Sequence, residues 1–223
     1  ATVTFTSQYG ISTLANEQFY KNFMSGDELK DFWLRSGLMS AEGIKATYTD
    51  KGYDANTEWY KYIQRLNNPQ YQNDISIEGG SDRTAYLITA SQFHQDGNTI
   101  GNFYDRYTVR SNIQARPKEW LKTGINLNAS ISQDMANEAW GNSSEASSYV
   151  DGGLSYMLNP LYPAVDENGV EYSPKYPNGI YNQYYYTQNY VNKYSVYRII
   201  ASAYAEIEPV KNLVFTSRVG TDA

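Results

Sequence analysis

RYTVRSNIQARPKEWLKTGINLNASIS, residues 106–132, alternates residue types more cleanly than any other part of the chain. Every second position from Tyr107 gives Val109, Ser111, Ile113 and Ala115, and the positions between carry Arg106, Thr108, Arg110, Asn112, Gln114 and Arg116. A period of two is a strand. After Pro117, Lys118 and Glu119 the alternation resumes, with Leu121, Thr123, Ile125, Leu127, Ala129 and Ile131 on one side. Lys122, Gly124, Asn126, Asn128, Ser130 and Ser132 fall on the other. Two long strands joined by a tight polar turn are predicted. The expected antiparallel register sets Ala115 beside Leu121, Ser111 beside Ile125, Val109 beside Leu127 and Tyr107 beside Ala129.

A strand in a water-soluble domain usually runs about five or six residues, and each of these runs roughly ten or more. One face of the pair is apolar and the other carries charge and amide. In a soluble sandwich the apolar face is the core; in an outer-membrane barrel it meets lipid and the polar face lines the lumen. The alternation fits both.

Composition narrows the choice without closing it. The 223 residues suffice for one large all-β unit, and they include 23 tyrosines, no cysteine and a net charge of −6. Disulfides and thiolate sites are excluded. No apolar run is long enough for a transmembrane helix, and no signal peptide opens the chain. The acidic balance, with no basic stripe, argues against nucleic acid as a partner. A mean hydropathy of −0.63 reads as water-soluble, yet barrel strands give the same reading because only alternate residues face lipid.

Outward from the opening pair, the other strands are expected at about 2–12, 71–79, 84–95, 194–208 and 213–223, with the pair itself at 105–116 and 120–132. The strand at 84–95 alternates weakly, with Tyr86 and Ile88 on one face and Leu87 and Phe93 on the other. Short helices fit 15–36, where Ser25 or Asp27 is an N-cap candidate and Gly37 a stop signal. Residues 43–56 read as polar loop, and 58–66 as one or two helical turns. The longest connection, about 133–193, holds a helix candidate at 149–158, a hairpin tip at Asp166-Glu167-Asn168-Gly169 and the tyrosines Tyr181, Tyr184, Tyr185, Tyr186 and Tyr190. The fold class is therefore all-β: an antiparallel up-and-down meander of about seven long strands, with short helices in two long loops at 13–70 and 133–193.

Connections alternate between long and short. The long ones follow the first, third and fifth strands, and the short ones follow the second, fourth and sixth at 80–83, 117–119 and 209–212. Transmembrane barrels show this asymmetry, with long loops outside the cell and short turns in the periplasm. Tyr9, Phe93, Tyr104 and Tyr107, near strand ends, are candidates for the interfacial aromatic girdle. On the barrel reading Arg110, Asn112, Lys122, Asn126 and Arg198 face the lumen.

No constellation for catalysis or metal binding emerges. His94 is the sole histidine, has no nucleophile motif beside it, and reads as a polar strand-end residue. The acidic pairs Asp27/Glu28 and Asp166/Glu167 read as solvated turn or cap residues rather than glycosidase carboxylates. Asp166, Asn168 and Glu171 lack the frame of a calcium loop. No catalytic residue, metal or cofactor is expected.

Several segments, in order, carry a resemblance: Asn56-Thr57-Glu58-Trp59, DISIEGGSD at 74–82, Gln95-Asp96-Gly97, the spacing of Arg106, Tyr107, Arg110 and Asn112, WLKTGIN at 120–126, Asn159-Pro160, the 166–169 turn, and Gly220 with Asp222. Together they resemble the SusC/RagA-type TonB-dependent outer-membrane transporters. That resemblance implies import of large nutrients, glycans or peptides, through a barrel of about 22 strands. It also implies a SusD-like surface lipoprotein as lid, TonB acting through a plug, and outer-membrane lipid around the barrel. Neither plug nor TonB-contacting segment is expected within these residues, which read as the first seven strands.

Tyrosine and tryptophan offer a flat apolar face with a hydrated tip, suited to the CH faces of sugars. Trp140, Tyr181, Tyr184, Tyr185 and Tyr186 are therefore the candidates to face substrate or lid. A second reading is a soluble, surface-exposed all-β carbohydrate-binding or adhesin module. The two differ in whether Ile113, Leu127 and Ala203 face lipid or a packed second sheet.

Overall fold

A computed structural model of the chain describes residues 1–135, 158–176, 181–189, 191 and 193–223. Seven strands form one antiparallel sheet in sequence order: β1 (Thr2–Thr13), β2 (Asn67–Ser81), β3 (Thr84–Asp96), β4 (Phe103–Lys118), β5 (Leu121–Met135), β6 (Lys193–Val210) and β7 (Leu213–Asp222). Each neighbour in the chain is the neighbour in the sheet, the up-and-down meander that the alternation predicts. Three turns are of two residues, Asp82–Arg83, Glu119–Trp120 and Lys211–Asn212. Asn212 takes a positive φ of 69°, which asparagine tolerates better than most residues, and its N–H donates to Glu208 Oε1 at 2.9 Å.

The register corrects the sequence reading of the central pair. Ala115 lies opposite Thr123, Ser111 opposite Leu127, Val109 opposite Ala129 and Tyr107 opposite Ile131. The cause lies at the turn: β4 continues past Pro117 to Lys118, and an irregularity between Ala115 and Lys118 absorbs residues assigned to the loop. Pro117 has no N–H for the ladder, and such a residue is tolerated at a bulge. The slip is of two residues, so the faces keep their identity. β2 likewise starts earlier than expected and runs through Gly80 and Ser81, leaving Asp82–Arg83 as the turn.

Pairing also fixes the strand whose alternation is weak. Ile88 lies between Ile77 and Ser111, so Tyr86 and Ile88 share the apolar face, while Leu87 lies between Glu78 and Asn112 on the polar one. Phe93 and Tyr104 fall on the polar face as well, opposite Arg106 and Gln95. They are corrected out of the outward girdle. Tyr9 and Tyr107 remain on the apolar face, joined there by Tyr71 and Tyr197.

At the end of the sheet opposite the turns, the long connections fold as a cap. It contains α1 (Glu17–Lys21), α2 (Gly26–Ser36), α3 (Ala41–Thr47), α4 (Trp59–Ile63) and α5 (Gln183–Asn189). α2 is bounded as the sequence predicts, with Ser25 as N-cap in a reciprocal capping box with Glu28, and Gly37 at φ 70° as the stop. The polar loop expected at 43–56 is corrected. It holds α3 and a 3-10 turn at Thr49–Lys51, because Ser40 caps the Gly43 N–H and Ile44 is buried. The 166–169 tip is a turn, with Val165 bridging Glu171 and Asp166 Oδ1 accepting from the N–H groups of Asn168 and Val170. The helix candidate at 149–158 lies outside the described residues except for Leu158.

Among the described residues, the buried hydrophobic side chains all belong to the cap: Ile44, Tyr53, Trp59, Tyr60, Ile63, Leu158, Leu161, Tyr162, Ala164 and Tyr176. None lies in a strand. Rings do most of the packing, with Tyr176 stacked on Tyr162 at 4.4 Å and edge-on to Trp59 at 6.4 Å. Burial pushes the Tyr176 phenol far above its ordinary range, and its hydroxyl donates to the Pro163 carbonyl at 2.5 Å.

Candidate functional site

Two surfaces are available for function, the polar face of the sheet and the outer surface of the cap. On the polar face, the expected residues Arg110, Asn112, Lys122, Asn126 and Arg198 do share one side, because the pairing keeps every second residue of each strand together. Asn112 lies directly opposite Asn126 and Arg110 opposite Asn128. Asn126 Nδ2 donates to Ser202 Oγ across the next pair at 3.3 Å, so amides and a hydroxyl form a short polar rung. Arg198 donates twice to Asp222, at 3.1 and 2.7 Å. Lys122 lies 3.5 Å from Glu206 and over the Tyr204 ring. Arg110 is exposed and shows no ion pair among the described residues.

Gly124 has a reason of its own. A Cβ at this position would meet the Tyr204 ring at 2.2 Å. Glycine therefore lets the tyrosine of the adjacent strand lie flat across β5.

The opposite face is apolar and bare. Val3, Phe5, Ile75, Val109, Ile125, Ile131, Ile199 and Val219 are all exposed, Phe5 at 66% and Ile125 at 56%. Among the described residues no second sheet covers them. Along β6 the apolar positions run from Tyr197 to Ile207, matching the roughly 9–11 residues of a tilted membrane-spanning strand. Above this band sits a polar network that alternation alone does not predict. His94 Nδ1 is 2.6 Å from Asp105 Oδ1, its ring stacks on Tyr71 at 4.8 Å, and Asp96 pairs with Arg65 at 2.6 Å. His94 and Asp105 are opposite residues of β3 and β4, a proximity visible only once the register is known.

In the cap, the tyrosine candidates divide. Tyr184 packs edge-on against Tyr62 at 5.3 Å, at the margin of the buried aromatic core. Tyr186 contacts Tyr181 at 5.3 Å and Tyr185 at 5.8 Å, both edge-on, and Lys175 lies over the Tyr181 ring at 4.7 Å. All four are half-buried, carried on or beside α5, which buries Gln183 and Thr187 on its inner side. Trp140 lies outside the described residues.

A recess of about 360 Å3 opens between α1, the start of α2 and α4, with Tyr20, Phe23, Met24, Glu28 and Glu58 among its lining. Phe23 and Met24 at its mouth are 40% and 48% exposed. Lys21, and then the Tyr60 hydroxyl, hold the Glu17 carboxyl below its ordinary value beside this recess. Among the described residues no three His, Asp or Glu side chains are placed to hold a metal ion.

No family model matches the chain. Two TonB-dependent receptors of Formosa agariphila are 32% identical to it over 88 and 73 residues. Those stretches cover 39% and 33% of this chain but only 9% and 7% of the receptors. A solved structure of the RagAB peptide transporter superposes with a TM-score of 0.76 at 25% identity, over 99% of this chain and 27% of that one. The RagAB peptide importer in its closed-closed state gives 0.74 at 24%, with the same coverage. These relatives are receptors and transporters by name, not enzymes. The chain thus corresponds to about a quarter of the length of the solved transporter it matches.

Proposed function

We propose that this chain, a SusC/RagA-type TonB-dependent outer-membrane transporter segment, supplies part of the wall and part of the outer cap of a barrel that imports large nutrients. One observation carries the reading. A single sheet has a bare apolar face and a polar face, two-residue turns at one end and a folded cap at the other. Lipid is the solvent that such an apolar face requires. The soluble-module alternative needs a second layer over Ile113 and Leu127, which are 40% and 36% exposed.

In this role the polar face lines the lumen, with Arg110, Asn112, Lys122, Asn126 and Arg198 along the path of the cargo. The cap meets a SusD-like surface lipoprotein, and the tyrosines beside and on α5 face the cargo or that lid. TonB acts through a plug contributed by other parts of the protein. Glycans and peptides are both within reach of such a surface, since tyrosines offer ring faces as well as hydroxyls.

The test separates contact from packing. Tyr181→Ala, Tyr185→Ala and Tyr186→Ala are combined in the whole transporter, leaving Tyr184 to hold the cap core. Nutrient uptake and retention of the lipoprotein in pull-downs are then measured. Loss of either is expected with the protein still in the outer membrane. Unchanged uptake together with unchanged retention removes the tyrosines from the site.

A further inference from the structure

Cap and sheet are sewn together along a seam, and the chain's sole histidine lies at its foot. Arg65, just past the end of α4, donates its N–H to the Asn98 carbonyl at 2.7 Å, and the Ile100 N–H returns to the Ile63 carbonyl at 2.8 Å. Asn68, buried at the start of β2, donates from Nδ2 to Asn98 Oδ1 at 2.7 Å. The β3–β4 loop, 97–102, is thereby tied to the linker that enters β2. Below the loop Asp96 pairs with Arg65, and His94 stands between two carboxylates. Its Nε2 lies 3.6 Å from Asp96 Oδ1 and its Nδ1 2.6 Å from Asp105 Oδ1.

Tyr71 stacks on the ring at 4.8 Å and fixes it, so both nitrogens keep their carboxylate neighbours. Tyr71, His94 and Asp105 are opposite residues of β2, β3 and β4, on the side of the sheet that carries the apolar band. Each of these strands has both neighbours in place. The side chains of Arg65, His94, Asp96 and Asp105 are 26%, 20%, 21% and 22% exposed. The network is thus enclosed by the described residues themselves, on the side turned away from the polar face. The charged groups facing His94 are Asp105 on β4, Asp96 on β3 and Arg65 before β2, while Lys193 on β6 is engaged with the Phe103 ring at 5.7 Å.

A neutral imidazole carries one donor and one lone pair. With a carboxylate oxygen before each nitrogen, the neutral ring turns its lone pair on one of them, and the cation is the form that donates to both. Neutral, the cluster sets two carboxylates against the Arg65 guanidinium alone; protonated, it sets two against two. Histidine is also the side chain whose charge changes between about pH 5 and 8. We propose that His94 is a pH-sensitive joint between cap and sheet. Its cation ties Asp105 of β4 to Asp96 and, through Arg65, to the end of α4; loss of the proton loosens the 97–102 loop. A charge state that gains partners in the closed joint favours closure where the proton is bound, so the joint tightens as pH falls and loosens as it rises. The inference goes beyond nutrient import, to how firmly the cap is seated as the surrounding medium changes in acidity.

The whole transporter, purified from outer membranes, is followed by hydrogen exchange at about pH 5.5 and about pH 8, on either side of the histidine range. Each rate is divided by the intrinsic chemical rate at that pH. Protection of the Arg65, Gly97 and Ile100 N–H groups is expected to fall roughly threefold to fivefold from the lower pH to the higher, the size of a partly shielded ion pair. The β4–β5 ladder should keep its protection. In His94→Gln, uncharged at both pH values, the loop gives equal protection at the two, and Asp105→Asn reduces the response by removing one partner of the cation. Histidines elsewhere in the transporter are unchanged in these variants, so loss of the response assigns it to His94. If His94→Gln loses the heat-modifiable mobility of the folded barrel, Asp105→Asn carries the comparison. Equal loop protection at the two pH values in the unaltered protein, greater protection at the higher pH, an equal fall in the β4–β5 ladder, or a full response in the folded variant overturns the proposal. A failure of the transporter reading shows separately, as absence of the protein from the outer-membrane fraction before exchange begins.

Discussion

The sheet and the cap are made of similar residues and obey opposite rules. In the cap, large side chains turn inward: Ile63 and Leu161 are fully buried and Trp59 nearly so. In the sheet, Val219 at 71%, Phe5 at 66% and Ile199 at 49% stand exposed. The cap is a small structure built for water, with a core, capped helices and satisfied turns. Among the described residues the sheet has no core of its own, and on the proposed reading its apolar face meets lipid, a solvent that is itself apolar. Burial therefore does not measure how well the strands are placed. Their regularity rests on continuous ladders, which pair the backbone polar groups of β2 to β5 within the band on both sides, as a bilayer demands.

The sharpest way to set the two regions apart is to damage each in its own terms. Trp59→Ala removes a buried ring whose Nε1 also donates to the Asn159 carbonyl at 3.1 Å. A loss of about 3–5 kcal/mol is expected from such a truncation. The cap should become open to protease while the barrel still assembles in the outer membrane. In the sheet, Leu127→Arg places a charge near the middle of the apolar band, at an expected cost of about 2–4 kcal/mol. Asn126→Arg, one residue away on the polar face, should be tolerated. Heat-modifiable mobility and outer-membrane yield read both strand variants. Equal damage from the two would mean that the faces are not the boundary between lipid and lumen.

The same contrast explains what the sequence made legible. Strand order and faces follow from the period of two, and Arg110, Asn112, Lys122, Asn126 and Arg198 fall together as alternation requires. Register depends on where the ladder breaks, and a proline inside a strand end hides that place. The capping box at Ser25 and Glu28 and the stop at Gly37 are local chemistry and can be read directly. Packing of Tyr176 between Tyr162, Tyr172 and Trp59 is not, because it joins segments about a hundred residues apart. The His94–Asp105 pair depends on cross-strand neighbours in the same way, and appears only when the sheet is assembled.

A smaller effect tests whether the cap helices stand by themselves. Ser25→Ala removes the side chain that accepts the Glu28 N–H, and leaves Glu28 Oε2 as the acceptor of the residue 25 N–H. The expected cost is about 1 kcal/mol. Hydrogen exchange should quicken at the start of α2 and remain unchanged in β4 and β5. Quickening in the strands would show that cap and sheet fold as one unit.

The smallest effect concerns acid. Glu17, held low by Lys21 and Tyr60, Asp27, held low by Lys30 and Asn56, and Asp166, held low by the Val170 and Asn168 N–H groups, all lie in the cap. A carboxyl with a depressed folded pKa contributes stability above its ordinary value and loses it as pH falls through the folded one. The window therefore opens below the ordinary values of 4.5 for Glu17 and 3.8 for Asp27 and Asp166. Because these groups are exposed, the loss is screened and small. Protease sensitivity of the cap should rise slightly when pH is lowered through this window, and Asp166→Asn should remove part of the rise. Strand assembly should respond less, since continuous backbone ladders rather than these carboxylates hold the strands together. An acid response in the strands equal to that in the cap would break the separation of the two regions.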